Sequence, residues 1–482
     1  MDLEPIDAVA AVVSGYGIAG RRLREIIARL TESPTTLDDL VRDLAVPRRT
    51  VEALLRAAGP DLDTGGETLV LQDSVRQRYG ERFALATLHD VPEVPGMAEL
   101  VAGAPAADRA LDHVSATADT ARRRAQWLAG TYDLAGARLV CIGDHDLTSL
   151  AVRRACPDVE ITVVDVDERL LAYIDGQGAG IACYHADLRF GLPPVVAGSG
   201  DLVFTDPPYT PEGVQLFLGR GAQALRDRGN GRLVMAYGFS PLTPALGLKV
   251  QRAVLDLDLV IEAMLPAFNR YHGAQAVGSA SDLYVCRPTP QTWQVLDRRL
   301  DRLAGSANIY THGEQSLEGT AARGPARILG GGPLQADELT VDLAADPGPW
   351  LARVLLALNV PAVTLLVPNN HPDLRDAASQ AALRALVGAK YDLRLRRSTP
   401  APDRATVEAT LRTQEPPDAA GWLLTHAHGK VGNVLREALM RADPALSRSE
   451  AQARASALAG PGRAEARLID LPRHAIAGLT GA

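Results

Sequence analysis

At 482 residues the chain is longer than one hydrophobic core usually supports, so two or three domains are expected. Apolar residues make up 46% and charged residues 22%, the range of a globular protein rather than a disordered one. A formal charge of −8 excludes the broad basic field that holds nucleic acid or an anionic membrane, and it favours a cationic partner.

The opening MDLEPIDAVAAVV is acidic and lacks the basic segment of a secretory signal. Residues 20 to 57 carry apolar spacing of helical period, and TTLDDLVRDLAVPRRTVEALLRAA reads as helix, turn, helix, with Thr36 as an N-cap. DLDTGGETLVLQ adds two short strands around a Gly-Gly turn, which completes a winged-helix pattern over residues 1–85. Arg48 and Arg49 stand near the start of its second helix, where a DNA reader would place them. Glu52, Asp38, Asp39, Asp61 and Asp63 surround them, so dimer contacts or a cover for an active site fit the charge better than DNA. A homodimer is therefore an expected arrangement. Residues 86–125 read as a helical linker.

From Tyr132 the texture changes. ARLVCIG, VEITVVDVD, IACYHAD, DLVFTDPPYT and RLVMAYG are five strand candidates in succession, the first four followed by segments able to return as helices, which predicts a parallel sheet. LVIEAMLPAF and DLYVCRP follow as an antiparallel pair. This central domain, residues 126–300, is expected to be a class I methyltransferase-like Rossmann domain. Cys141, Cys156, Cys183 and Cys286 show no C-x-x-C spacing and read as reduced thiols, three of them within strands. A Gly-rich stretch within 301–335 reads as a linker. The remainder, 336–482, is expected to be a C-terminal additional α/β domain: ELTVDLA, AVTLLVPNN, YDLRLR and GWLLTHA as strands, with helices between and after them. Its most apolar run, Trp350 to Val367, is interrupted by Arg353, Asn359 and Pro361 and does not span a bilayer. The expected compartment is the cytosol.

Ligands of open parallel sheets bind beyond the carboxyl ends of the strands. Those positions are acidic here: Gly143-Asp144-His145-Asp146, then Asp165 and Asp167, Asp187, and Asp206-Pro207-Pro208-Tyr209-Thr210. Asp165 follows Gly143 by 22 positions, near the spacing at which a carboxylate meets the ribose hydroxyls of a nucleotide. Asp187 is placed to accept from an adenine amino group. An alkylammonium near pKa 10 must lose a proton before it attacks a sulfonium carbon, and Asp206 is the candidate acceptor. Pro207 and Pro208 fix that loop, and Tyr209 packs on the acceptor amine. Asp144 and Asp146 would repel the carboxylate of S-adenosylmethionine but suit the lone cationic amine of its decarboxylated form, which points to aminopropyl transfer.

At these residues the chain resembles the branched-chain polyamine synthases, the N4-bis(aminopropyl)spermidine synthase family, which joins a winged helix to a Rossmann-like aminopropyltransferase domain. Its Gly-Asp-Asp-Asp loop and Asp-Pro-Pro-x-Thr motif have counterparts in GDHDLTSLA from Gly143 and DPPYTPEG from Asp206. The resemblance covers about residues 1 to 300. It implies that Asp144 and Asp146 face the aminopropyl group and acceptor, that Asp206 handles the acceptor nitrogen, and that Pro207, Tyr209, Thr210, Glu212 and His145 lie on the acceptor side. It implies decarboxylated S-adenosylmethionine as co-substrate and spermidine or another linear polyamine as acceptor. His145 replaces the family's middle aspartate, and the region after Asp301 has no counterpart.

Intact S-adenosylmethionine, serving amino-methyl or aminocarboxypropyl transfer, is the enzymatic alternative, since a protonated His145 would pair with its carboxylate. A DNA-binding regulator with a ligand-sensing Rossmann domain is the alternative of another class. His426 and His428 stand at i and i+2, and His312 lies near the linker, but no third ligand accompanies them and no metal site is expected.

Overall fold

A computed structural model describes residues 3–303, 309–310, 323–330, 336–346, 348–412, 418–460 and 462–481. The chain opens with helices α1 (Pro5–Gly15) and α2 (Arg21–Glu32), the short strand β1 (Thr35–Thr36), and α3 (Leu37–Leu44) and α4 (Arg48–Ala58). The Thr36 hydroxyl accepts from the Asp39 amide at 3.1 Å, capping α3 as expected. Strands β2 (Leu62–Gly65) and β3 (Thr68–Leu71) turn through Gly66 at φ +68°, and β3 pairs antiparallel with both β1 and β2. Helix α5 (Asp73–Arg82) completes this unit, whose own apolar cluster includes Leu23, Ile26, Val51, Leu54 and Tyr79.

Two further helices, α6 (Met97–Gly103) and α7 (Ala118–Thr131), lead into the central sheet. Helix α7 runs straight across the boundary expected at residue 125, because Ala121, Ala125 and Leu128 form one stripe that packs on the sheet. The sheet comprises β4 (Arg138–Ile142), β5 (Glu160–Asp165), β6 (Ala182–His185), β7 (Leu202–Thr205), β8 (Arg232–Tyr237), β9 (Leu259–Arg270) and β10 (Ala280–Pro288). Its order is β6-β5-β4-β7-β8-β10-β9; the first five strands are parallel, and β10 is antiparallel to both β8 and β9. All seven strands fall where the sequence places them. Crossovers use α8 (Thr148–Ala155), α9 (Glu168–Gly176), α10 (Pro211–Ala224) and α11 (Pro244–Leu255), but the segment between β6 and β7 forms no regular helix. Pro193 and Pro194 there remove two amide donors.

Helices α12 (Thr292–Leu303) and α13 (Arg323–Leu329) follow, the second inside the stretch expected to be a linker. A second sheet then forms from β11 (Glu338–Asp342), β12 (Ala362–Pro368), β13 (Tyr391–Arg397) and β14 (Arg404–Leu411), interleaved with α14 (Trp350–Ala357) and α15 (Ala377–Val387). Its order is β11-β12-β14-β13, with only β11 and β12 parallel. Helices α16 (Ala419–Thr425), α17 (Val431–Ala442), α18 (Arg448–Ala459) and α19 (Arg473–Thr480) end the chain.

Two expectations fail here. GWLLTHA is helical, not a strand: the Asp418 carboxylate caps it by accepting from the Gly421 amide at 2.7 Å, and Leu423 and Leu424 are both buried, which a half-buried strand does not allow. RATVEATL is a strand that the sequence reading missed, because its inner face is only Ala405, Val407 and Ala409. The cluster under the central sheet, with Val140, Tyr184 and Met235, is continuous with Leu351, Val407 and Ile476 of the C-terminal segment. Among the described residues no helix is long and apolar enough to cross a membrane, and no cysteines are paired.

Candidate active site

A cavity of about 660 Å³ opens beyond the carboxyl ends of the parallel strands. Gly143, at φ +71°, turns the chain out of β4 into it, and a Cβ there would stand 3.4 Å from Phe217. Asp144 accepts from the Ser149 amide at 3.2 Å and from the Ser149 hydroxyl, near the start of α8. Burial dominates these bonds and pushes its carboxyl up to about 8. Asp146 accepts from the Ala116 amide at 2.7 Å and from Arg124 Nη1 at 2.8 Å; burial would raise its carboxyl, but the Arg124 charge holds it below the ordinary value. Between them His145 stacks on His113, ring centroids 4.3 Å apart, and meets the Ser115 hydroxyl at 3.1 Å. Burial, then the neighbouring His113, keeps the His145 ring below the usual imidazole range.

Asp165 lines the same cavity and accepts from the Asp144 amide at 3.0 Å and the Asp167 amide at 2.8 Å, so the first two strand ends are tied together. Burial raises its carboxyl to about 6. Asp167 instead pairs with Arg169 at 2.7 Å and lies outside the lining.

Asp206 is the centre of the arrangement. Its Oδ2 accepts from Arg124 Nη2 at 2.8 Å and from the Tyr271 hydroxyl at 2.7 Å, while Oδ1 meets the Tyr209 hydroxyl at 3.2 Å. Burial, then the nearby Asp146, pushes its carboxyl up to about 7 against the pull of Arg124. Pro207, Pro208 and Tyr209 line the cavity beside it.

Three expected site residues are placed elsewhere. Asp187 does not line the cavity: its carboxylate is taken by Arg189 Nε at 2.9 Å and by the Trp350 indole at 3.0 Å, and its neighbours Ala186 and Leu188 face the space instead. Thr210 caps α10, accepting from the Gly213 amide at 2.9 Å and donating to the Ile309 carbonyl at 2.8 Å. Glu212 sits in the first turn of α10, outside the lining. His426 and His428 flank a helix end, where His426 stacks on Trp422 and His428 meets the Ala357 carbonyl; no metal-binding group occurs among the described residues. His312 lies outside them.

Arg124 is the residue that sequence reasoning missed. It is fully buried on α7 and bonds Asn269 at 2.8 Å as well as both aspartates. A signal existed, since helical phase puts it on the same stripe as Ala121, Ala125 and Leu128, where an arginine must find carboxylates. Tyr271, His113 and Tyr310 also line the cavity, and nothing in their local sequence marked them.

The 3-2-1-4-5-7-6 sheet and the acidic strand ends around one cavity define a class I methyltransferase-like domain. Residues 95–309 match the family model of the branched-chain polyamine synthase A C-terminal domain, so this segment is similar to the branched-chain polyamine synthases. An uncharacterized protein of Methanocaldococcus jannaschii is 36% identical over 181 residues, 37% of this chain and 45% of that protein. The N(4)-bis(aminopropyl)spermidine synthase of Thermococcus kodakarensis is 29% identical over 181 residues, 36% of this chain and 51% of that enzyme. The alignments thus span about half the length of these curated relatives. A crystal structure of the Thermus thermophilus branched-chain polyamine synthase, in complex with N4-aminopropylspermidine and 5'-methylthioadenosine, aligns at 22% identity and a TM-score of 0.35, over 58% of this chain and 92% of that one.

Proposed function

We propose that the protein is an aminopropyltransferase that moves the aminopropyl group of decarboxylated S-adenosylmethionine to an amine of a polyamine such as spermidine and releases methylthioadenosine. The observation that carries this reading is Asp206, a cavity-lining carboxyl poised near neutrality and held by Arg124 and Tyr271 beside an acidic first loop. A carboxylate of that basicity can hold a neutral acceptor amine by its N–H and take that proton as the nitrogen bonds to carbon. The amine lone pair attacks the methylene carbon next to the sulfonium. The carbon–sulfur bond breaks with its electron pair on sulfur, leaving a neutral thioether, and the amine proton passes to Asp206 Oδ1. Asp165 keeps lone pairs for ribose hydroxyls, Asp144 and Asp146 face the ammonium of the aminopropyl group, and Tyr209 with His145 borders the acceptor. Thr210 and Glu212 support the loop rather than the substrate in this reading.

Incubation with spermidine and either donor, followed by adduct mass, tests it: aminopropyl addition from the decarboxylated donor is expected, and methyl or aminocarboxypropyl addition from the intact one overturns it. Arg109, exposed at the cavity lining, is the feature that favours the intact donor, because it would pair with a carboxylate.

The first 85 residues are read as a winged helix that serves subunit contacts in a homodimer or covers the site. Self-pairing of Arg48 with Glu52 at 2.9 Å and Asp38 at 3.1 Å supports this over DNA binding. Four unpaired cysteines fit a cytosolic setting.

A further inference from the structure

The C-terminal segment reaches two loops at the donor end of the cavity from behind, and it lies beyond the residues that match the family model. The first loop leaves β5 at Asp165 and enters α9 at Glu168. There the Arg353 guanidinium of α14 pairs with Glu168 Oε1, and the Arg473 amide at the start of α19 donates to Oε2 at 2.8 Å. Burial would raise the Glu168 carboxyl, but Arg353, with His185 and Arg473, draws it down to about 2, so it stays charged in place. Arg353 is itself fixed by the Ile469 and Leu471 carbonyls at 2.8 and 2.6 Å. The second loop follows β6. Its Asp187 accepts from the Trp350 indole at 3.0 Å, and the Trp350 ring packs on Phe190 at 5.2 Å between centroids and under the Arg189 guanidinium at 5.1 Å.

Trp350 and Arg353 are 1% and 2% exposed and stand three positions apart, so one face of α14 touches both loops. The residues these contacts flank, Asp165, Val166, Ala186 and Leu188, line the cavity. A loop held in its binding shape loses less freedom when a ligand arrives, and affinity rises accordingly.

We infer that Trp350 and Arg353 are positioning residues for the nucleoside end of the cavity, and that the C-terminal segment exists in this chain to hold the two donor loops in shape. The inference rests on the donor-site reading proposed above. It requires no contact between the segment and the ligand: Trp350 acts through Asp187, and Arg353 acts through Glu168.

The test uses the full chain and methylthioadenosine as the calorimetric probe, with KM measured separately for donor and acceptor. Trp350→Phe keeps an aromatic ring and removes the N–H. It is expected to weaken methylthioadenosine by about 3- to 10-fold and to raise the donor KM in step, with acceptor KM and kcat near wild type. Arg353→Met is expected to do the same and Arg353→Lys to recover part of the loss. Trp422→Phe, a tryptophan change in the same segment away from both loops, should leave affinity unchanged. Glu168→Gln probes the contact from its other side, in case Arg353→Met does not fold. Wild-type methylthioadenosine affinity in Trp350→Phe and Glu168→Gln overturns the inference, as does an equal loss for donor and acceptor. Should the wild-type protein bind no methylthioadenosine, the donor-site reading falls first and takes the inference with it.

Discussion

The Tyr271 hydroxyl donates to Asp206 Oδ2 at 2.7 Å, joining the residue that follows the antiparallel edge strand β9 to the loop that follows parallel β7. The same oxygen takes Arg124 Nη2, so Oδ2 is saturated and Oδ1 is the basic atom turned toward Tyr209 and the cavity. This division of one carboxylate into an anchored and a working oxygen makes Asp206→Asn a clean test. The amide can still receive Tyr271 but cannot take a proton, so transfer is expected to fall by about 100- to 10,000-fold while methylthioadenosine affinity stays within about twofold. Single-turnover rates and calorimetry read the two separately.

Asp206 must be ionised to accept the proton, so the transfer rate should climb as pH rises through about 7 and level off above it. Arg124 opposes the upward push of burial and of Asp146 on this carboxyl. Arg124→Lys, which keeps the charge but loses the two-armed grip on Asp146 and Asp206, should move the acid limb of the pH–rate profile upward. An unmoved limb would show that Arg124 serves only packing.

Asp165→Ala should weaken methylthioadenosine by at least about tenfold, since it removes the proposed ribose acceptor and also frees the Asp144 and Asp167 amides that it holds. Wild-type affinity in a titration would remove the ribose assignment.

Buried Asp144, Asp165 and Asp206 have folded-state values of about 8, 6 and 7, against an ordinary 3.8. Their contribution to stability is fully present below the ordinary carboxylate value and is lost as pH rises through those folded values. The lowered carboxyls, Asp146, Asp167 and Glu168, act in the opposite sense only at acid pH and leave this window alone. Thermal midpoints of the unliganded protein are therefore expected to fall between pH 5 and about 8.5. Asp144→Asn should flatten part of that fall, stabilising more at the alkaline end than at pH 5, which paired melts at the two pH values would check.

Gly213 lies beneath the Asp206 loop, where an added Cβ would come within 2.8 Å of the Pro208 carbonyl, the Ile309 carbonyl and the Thr210 hydroxyl. Gly213→Ala must displace that loop, and a shift of even about 1 Å costs on the order of 100-fold in rate. Normal turnover by the variant would mean that the loop tolerates displacement.

The central sheet was legible because each of its strands is a short apolar run, and the acidic residues at the strand ends had only one side of the sheet to face. Asp144, Asp146, Asp165 and Asp206 accordingly converge. What the sequence could not show were partners brought from afar: Arg124 from the preceding helix, Tyr271 after β9, and above all Trp350, whose indole occupies the Asp187 carboxylate across 163 positions. Thr210 and Glu212 were misplaced for a related reason, since a motif gives the order of residues and not which of them turn inward. The second sheet was read less well because strand β14 shows the core little more than two alanines and a valine.

The apolar cluster that runs without a break from Val140 and Met235 to Leu351, Val407 and Ile476 bears on how the molecule melts and how it can be cut. With one shared interior, the central and C-terminal sheets should unfold together in a single endotherm, apart from the N-terminal helices with their own cluster. A chain clipped near residue 300 would leave that interior open to water on one side. The segment that matches the family model therefore cannot simply be excised from this protein.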